Sequence, residues 1–82
     1  METERLRYRG RLEETKEQAA KLKIKIEGLR ASIREQLDPF ASVDVLGLDI
    51  VAEQAVEARS AQIDYLAARD EIRALERALG IN

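Results

Sequence analysis

Apolar residues recur along this chain with a spacing of three then four, interrupted once near the middle. In the first half Leu12, Ala19, Ile26 and Ile33 return every seven residues, with Thr15, Leu22 and Leu29 between them and Tyr8 extending the series upstream. In the second half Val51, Ala58, Tyr65, Ile72 and Leu79 return every seven, with Gln54, Ala61, Ala68 and Leu75 between them. That spacing places each set on one stripe of an α-helix, as in the a/d seam of a coiled coil. Lys21–Glu27 alternates polar and apolar like a strand, but it lies inside the longer helical period with no turn signals beside it. Helix is therefore expected there, with Ile24 pointing away from the seam and Gly28 weakening the helix by roughly 1 kcal/mol relative to Ala.

The break falls at Asp38-Pro39-Phe40-Ala41-Ser42-Val43-Asp44. Proline disfavours helical geometry at the residue before it, so Pro39 should stop the first helix. Ser42 or Asp44 is expected to cap the second. Gly80 stands where a left-handed C-terminal residue belongs, and Arg73 and Arg77 suit the negative end of the helix dipole. These signals predict one all-α domain over residues 1–82, with a helix over about 3–37, a connection over about 38–45 and a helix over about 46–79. A short link between long helices favours an antiparallel hairpin, each arm about 50 Å long. One continuous helix is the alternative that Pro39 argues against.

In an antiparallel pair the numbers of facing residues have a constant total. A total of 87 matches Leu29 with Ala58, Ile26 with Ala61, Leu22 with Tyr65, Ala19 with Ala68, Thr15 with Ile72, Leu12 with Leu75 and Tyr8 with Leu79. Large residues then meet small ones in several layers. The flanks would place Arg9 near Glu76, Lys25 near Asp64 and, unfavourably, Lys16 near Arg69. Exposed pairs of this kind contribute at most about 1 kcal/mol each, so they tune register without holding the fold.

The second helix carries more apolar surface than a hairpin needs. Leu48, Ala52, Val56, Ile63 and Leu66 form an outer stripe, interrupted by Arg59 and ended by Asp70 and Arg73. The bland reading is helix filler. The sharper one is an interface, because contiguous apolar patches mark association sites. It predicts a homodimer, two coiled-coil-like hairpins closing a four-helix bundle, with a different protein as the other possible occupant. Phe40, with Val43, Val45 and Leu46, is expected to plug the open end of the bundle; the alternative is an exposed docking knob.

Composition narrows the chemistry. The 82 residues include no His and no Cys. This removes any Ser–His–Asp arrangement, thiolate nucleophile or disulfide, and the commonest transition-metal ligand. Glu13 with Glu17, and Glu53 with Glu57, share helix faces, but a carboxylate metal site in a bundle would normally add His partners. No cofactor, metal or catalytic residue is expected, and Ser42 and Ser60 have no partner base. Tyr8 and Tyr65 read as seam or seam-edge residues.

Charge is close to balance, at −2 overall. Residues 1–37 carry ten basic and seven acidic groups, and residues 38–82 four and nine. That split favours one half packing on the other or on another copy. Arg9, Lys16, Lys23 and Arg30 fall at one flanking position every seven residues. They form the best electrostatic stripe, and the alternative function it suggests is a small-bundle regulator binding RNA or DNA. The stripe more simply borders the seam, so nucleic acid is disfavoured as a partner. No apolar run approaches the roughly 18 residues that span a bilayer. Met1-Glu2-Thr3-Glu4-Arg5 lacks the apolar stretch of a signal peptide, so a cytoplasmic location is expected.

The segment Ile33-Arg34-Glu35-Gln36-Leu37-Asp38-Pro39-Phe40, followed by a second helix closing at Leu79-Gly80, resembles small helical-hairpin proteins of Mu-like prophage regions. The resemblance implies a phage-encoded accessory or assembly protein, and it supplies no catalytic or ligand residues. The expected function is therefore non-enzymatic: a structural or interaction protein acting through helix–helix self-association and protein-partner binding.

Overall fold

A computed structural model describes residues 2–81; Met1 and Asn82 of the expected domain lie outside the described residues. Two long helices, α1 (Glu2–Gln36) and α2 (Leu48–Leu79), are joined by a connection holding a single 3₁₀ turn, Val43–Val45. They run antiparallel as a hairpin, in a body measuring 63 × 18 × 14 Å. Both helix boundaries lie within two residues of those the periodicity predicts. α1 passes through Gly28 unbroken, and Ile24 is exposed on its outer side.

The seam is the one the heptads define. The residues buried in the hairpin are Leu12, Thr15, Ala19, Ala61, Ala68, Leu75 and Leu79, and every one is a seam position. Leu12, Leu75 and Leu79 form the core cluster, with Ile72 packed against it. That grouping is the Leu12–Leu75 layer and its neighbours in the expected register. Burying one leucine side chain contributes about 2 kcal/mol, so this cluster outweighs any single surface pair. Toward the connection the seam thins: Leu22, Ile26, Leu29, Ile33, Val51 and Ala58 are only half-buried.

The two polar seam residues are satisfied in different ways. Thr15 is 4% exposed, and its hydroxyl donates to the Arg11 carbonyl at 2.8 Å. Gln54 engages Ser32 across the seam: its Nε2 donates to Ser32 Oγ at 2.9 Å, and Ser32 Oγ lies 3.1 Å from Gln54 Oε1. No buried side-chain polar atom lacks a partner among the described residues.

Helix ends follow local chemistry. Leu37 N–H donates to the Ile33 carbonyl at 3.0 Å, completing the last turn before Asp38-Pro39. Asp38 then shapes the reversal, its Oδ1 accepting from Phe40 N–H at 3.0 Å and its carbonyl from Ala41 N–H at 3.2 Å. This is the Asx-turn behaviour of a short carboxylate. At the far end Gly80 adopts φ 70°, with Gly80 N–H donating to Arg77 O and Ile81 N–H to Glu76 O. That crossed pair is a Schellman motif, and the left-handed residue it needs costs glycine nothing.

Four expectations about the connection and the flanks are corrected. Neither Ser42 nor Asp44 caps α2: Gly47 is the N-cap, without a side-chain cap bond, while Ser42 precedes the 3₁₀ turn and Asp44 lies inside it. The turn spends those residues, so α2 starts later and its first hydrogen bond runs from Val51 N–H to the Gly47 carbonyl at 2.9 Å. Phe40 does not plug the hairpin: it is 94% exposed, and Val43 and Val45 are exposed with it. The Asp38-centred reversal leaves the ring in solvent, and of the apolar side chains between Asp38 and Leu46 only Ala41 and Leu46 are half-buried. Lys25 pairs with Glu57 at 3.4 Å, one heptad from the expected Asp64. Both acids lie on the same flank, and a long exposed lysine chooses between them at little energetic difference. Arg9–Glu76 is not among the ion pairs of the described residues, which are Arg11–Glu71, Lys21–Glu17 and Lys25–Glu57.

Candidate interaction surfaces

The hairpin's two flanks differ in charge because the heptads present different residues on each side of the seam. On one flank Arg11 faces Glu71 and Lys25 faces Glu57, and both are ion-paired. Glu71 is the better anchored of these acids, because its second oxygen lies 3.5 Å from the Thr15 hydroxyl. On the other flank lie Arg9, Lys16, Lys23 and Arg30, all exposed and in no ion pair among the described residues. Lys23 and Arg30 join Arg69, Gln62, Tyr65 and Leu66 of α2 around an open groove, with Ile26 and Glu27 completing it. One acid among three cations leaves that groove electropositive. The interleaving of Arg69 was visible in the sequence as an unfavourable neighbour, but not as a member of a groove.

The outer stripe of α2 is where the periodicity puts it. Leu48 is 55%, Val56 72% and Ile63 51% exposed. Ala52 is exposed too, and Leu66 is half-buried where it borders the groove. Arg59 interrupts the stripe and donates from Nη1 to Gln62 Oε1 of its own helix at 2.9 Å. Tyr8, at 39% exposure, is a seam-edge residue.

A second depression lies on the back of α1 beside the connection, lined by Glu27, Arg30, Ala31, Arg34, Glu35, Asp38 and Pro39. All of these side chains are exposed and of mixed sign, so the depression offers neither an apolar anchor nor a desolvated polar group. No group of three or more acidic side chains able to hold a metal ion exists among the described residues. The paired carboxylates Glu13/Glu17 and Glu53/Glu57 are exposed helix-face residues, and Lys21 and Lys25 neutralise one member of each pair. No helix of the described residues is long and apolar enough to cross a membrane. No protein-family model, curated protein or solved structure matches the chain.

Proposed function

We propose that the protein is a non-enzymatic structural or interaction module of the cytoplasm, working through self-association of its hairpins into a four-helix dimer and through binding of a protein partner. The observation that carries this reading is the apolar stripe on α2, in which Leu48, Ala52, Val56 and Ile63 are exposed and Leu66 is half-buried. A two-helix hairpin has no inner layer to cover it, and contiguous apolar surface of this kind favours association. An accessory or assembly role of the kind implied by the prophage resemblance fits such a module.

The test is solution mass by light scattering across protein concentrations, for the native chain and Ile63→Glu. Ile63 is half in solvent within the hairpin, so a charge there leaves the hairpin seam intact. A dimer that Ile63→Glu converts to a helical monomer supports the reading. An identical mass for both chains removes the stripe from the interface.

The cations Arg9, Lys16, Lys23 and Arg30, in no ion pair among the described residues, favour a second reading, a regulator that binds RNA or DNA through this flank. Phosphate contacts make such binding strongly salt-dependent. Retardation of mixed nucleic acids at low salt, lost at moderate salt, supports it, and no shift even at low salt eliminates it.

A further inference from the structure

We propose that the second copy docks antiparallel along α2, in the single register that sets Arg59 against the partner's Asp70. This rests on the self-association reading above and specifies its geometry. The apolar stripe holds one charge. Arg59 lies within the apolar stripe, between Val56 and Ile63, and its only hydrogen-bond partner among the described residues is the neutral Gln62 amide. Burying that face against an apolar surface would strand the guanidinium, which is costly unless a carboxylate meets it. Asp70 lies one turn beyond Leu66 on the same face, exposed and in no ion pair among the described residues.

A two-fold axis between antiparallel copies of α2 connects these facts. Placing Ile63 opposite the partner's Leu66 puts Arg59 opposite the partner's Asp70, twice by symmetry. The same register sets Leu48, 55% exposed, against the partner's Ile81, itself 49% exposed. Val56 then faces the partner's Arg73, whose aliphatic stem can cover it. Sliding one heptad one way puts Arg59 on the partner's Ile63 and Asp70 on the partner's Ala52. Sliding the other way sets Arg59 against the partner's Arg77 and Leu66 against the partner's Asp70. Of these three registers, only the first neutralises the stripe's internal charge.

The stripe also fixes how the hairpins lie. At 3.6 residues per turn its centre is roughly 150° around α2 from the middle of the α1–α2 seam. The contact lines of a helix in a square bundle are about 90° apart, whereas this wider angle places α1 and the partner's α1 outermost. The dimer is a flattened array in the order α1, α2, the partner's α2, the partner's α1.

Charge reversal tests the register. The dimer dissociation constant is measured by sedimentation equilibrium for the native chain, Arg59→Glu, Asp70→Arg and the double variant, with circular dichroism confirming the helices of each. Each single reversal should weaken the dimer about tenfold, and the double should return to within about threefold of the native value. A second measurement is independent of charge. The protein has no cysteine, so an equimolar mixture of Ile63→Cys and Leu66→Cys should give chiefly the mixed disulfide dimer under mild oxidation, whereas Val56→Cys with Leu66→Cys should not. A native dimer indifferent to the reversals, or unrescued by the double, overturns this register and leaves self-association standing. A native chain monomeric at all concentrations overturns both.

Discussion

Glu71 joins the hairpin's surface to its core through Thr15. One carboxylate oxygen holds the Arg11 guanidinium, and the other lies 3.5 Å from the buried Thr15 hydroxyl, which itself donates to the Arg11 carbonyl. Thr15 is the only buried polar residue of the described chain, so the hydroxyl occupies a place that a methyl group could fill. Its donation to a carbonyl already used by the helix contributes little. Thr15→Val should therefore stabilise the hairpin by about 1 kcal/mol. Thermal unfolding at fixed protein concentration reads this as a rise of several degrees; a fall would mean that the Glu71 contact dominates.

Leu12 should be the most sensitive position of α1. It is 3% exposed and sits in the cluster with Leu75 and Leu79. Leu12→Ala removes three buried carbons and leaves a cavity in a thin core, a loss of about 3 kcal/mol. Urea unfolding should show the midpoint fall by a large fraction of its native value. Leu6→Ala, at a position 67% exposed, is the control that should change little.

The glycines should split in sign. At Gly28 an added Cβ meets nothing within 4 Å, so Gly28→Ala should stabilise α1 by about 0.5–1 kcal/mol. At Gly80 the backbone is left-handed, and Gly80→Ala should destabilise the α2 terminus by about 1 kcal/mol. Paired thermal melts would expose an error in either direction.

Phe40→Ser should leave hairpin stability within about 0.5 kcal/mol of native, because the ring is 94% exposed. A plug at the end of the seam would instead cost about 3 kcal/mol on removal. Chemical denaturation separates the two values easily.

The helices and their seam were legible because a heptad is written over five turns or more, so single exceptions such as Thr15 or Gln54 do not erase it. Every buried residue from Leu12 to Leu79 is a position the period selects. The connection was less legible because its structure depends on single contacts. Asp38 accepts from Phe40 N–H and turns the chain outward, and a 3₁₀ turn takes up Val43–Val45, moving the start of α2 past both expected caps. Nothing periodic announces either event. The outer stripe at Leu48, Val56 and Ile63 was visible for the same reason as the seam. The groove joining Lys23 and Arg30 to Arg69 was not, since it depends on how the two arms bring their flanks together.

The core cluster of Leu12, Leu75 and Leu79 lies at the end of the hairpin remote from the connection, while the layers beside the turn are only half-buried. The loop from Asp38 to Gly47 therefore acts less as a structural joint than as a tether, keeping one arm at high effective concentration around the other. Opening should start at the turn and leave the distant cluster closed, so amide protons near Ile33 and Val51 should exchange before those near Leu12 and Leu75. By the same reasoning, a chain severed within the loop would still present both halves of its strongest contact, with recombination of the arms set by their mutual affinity.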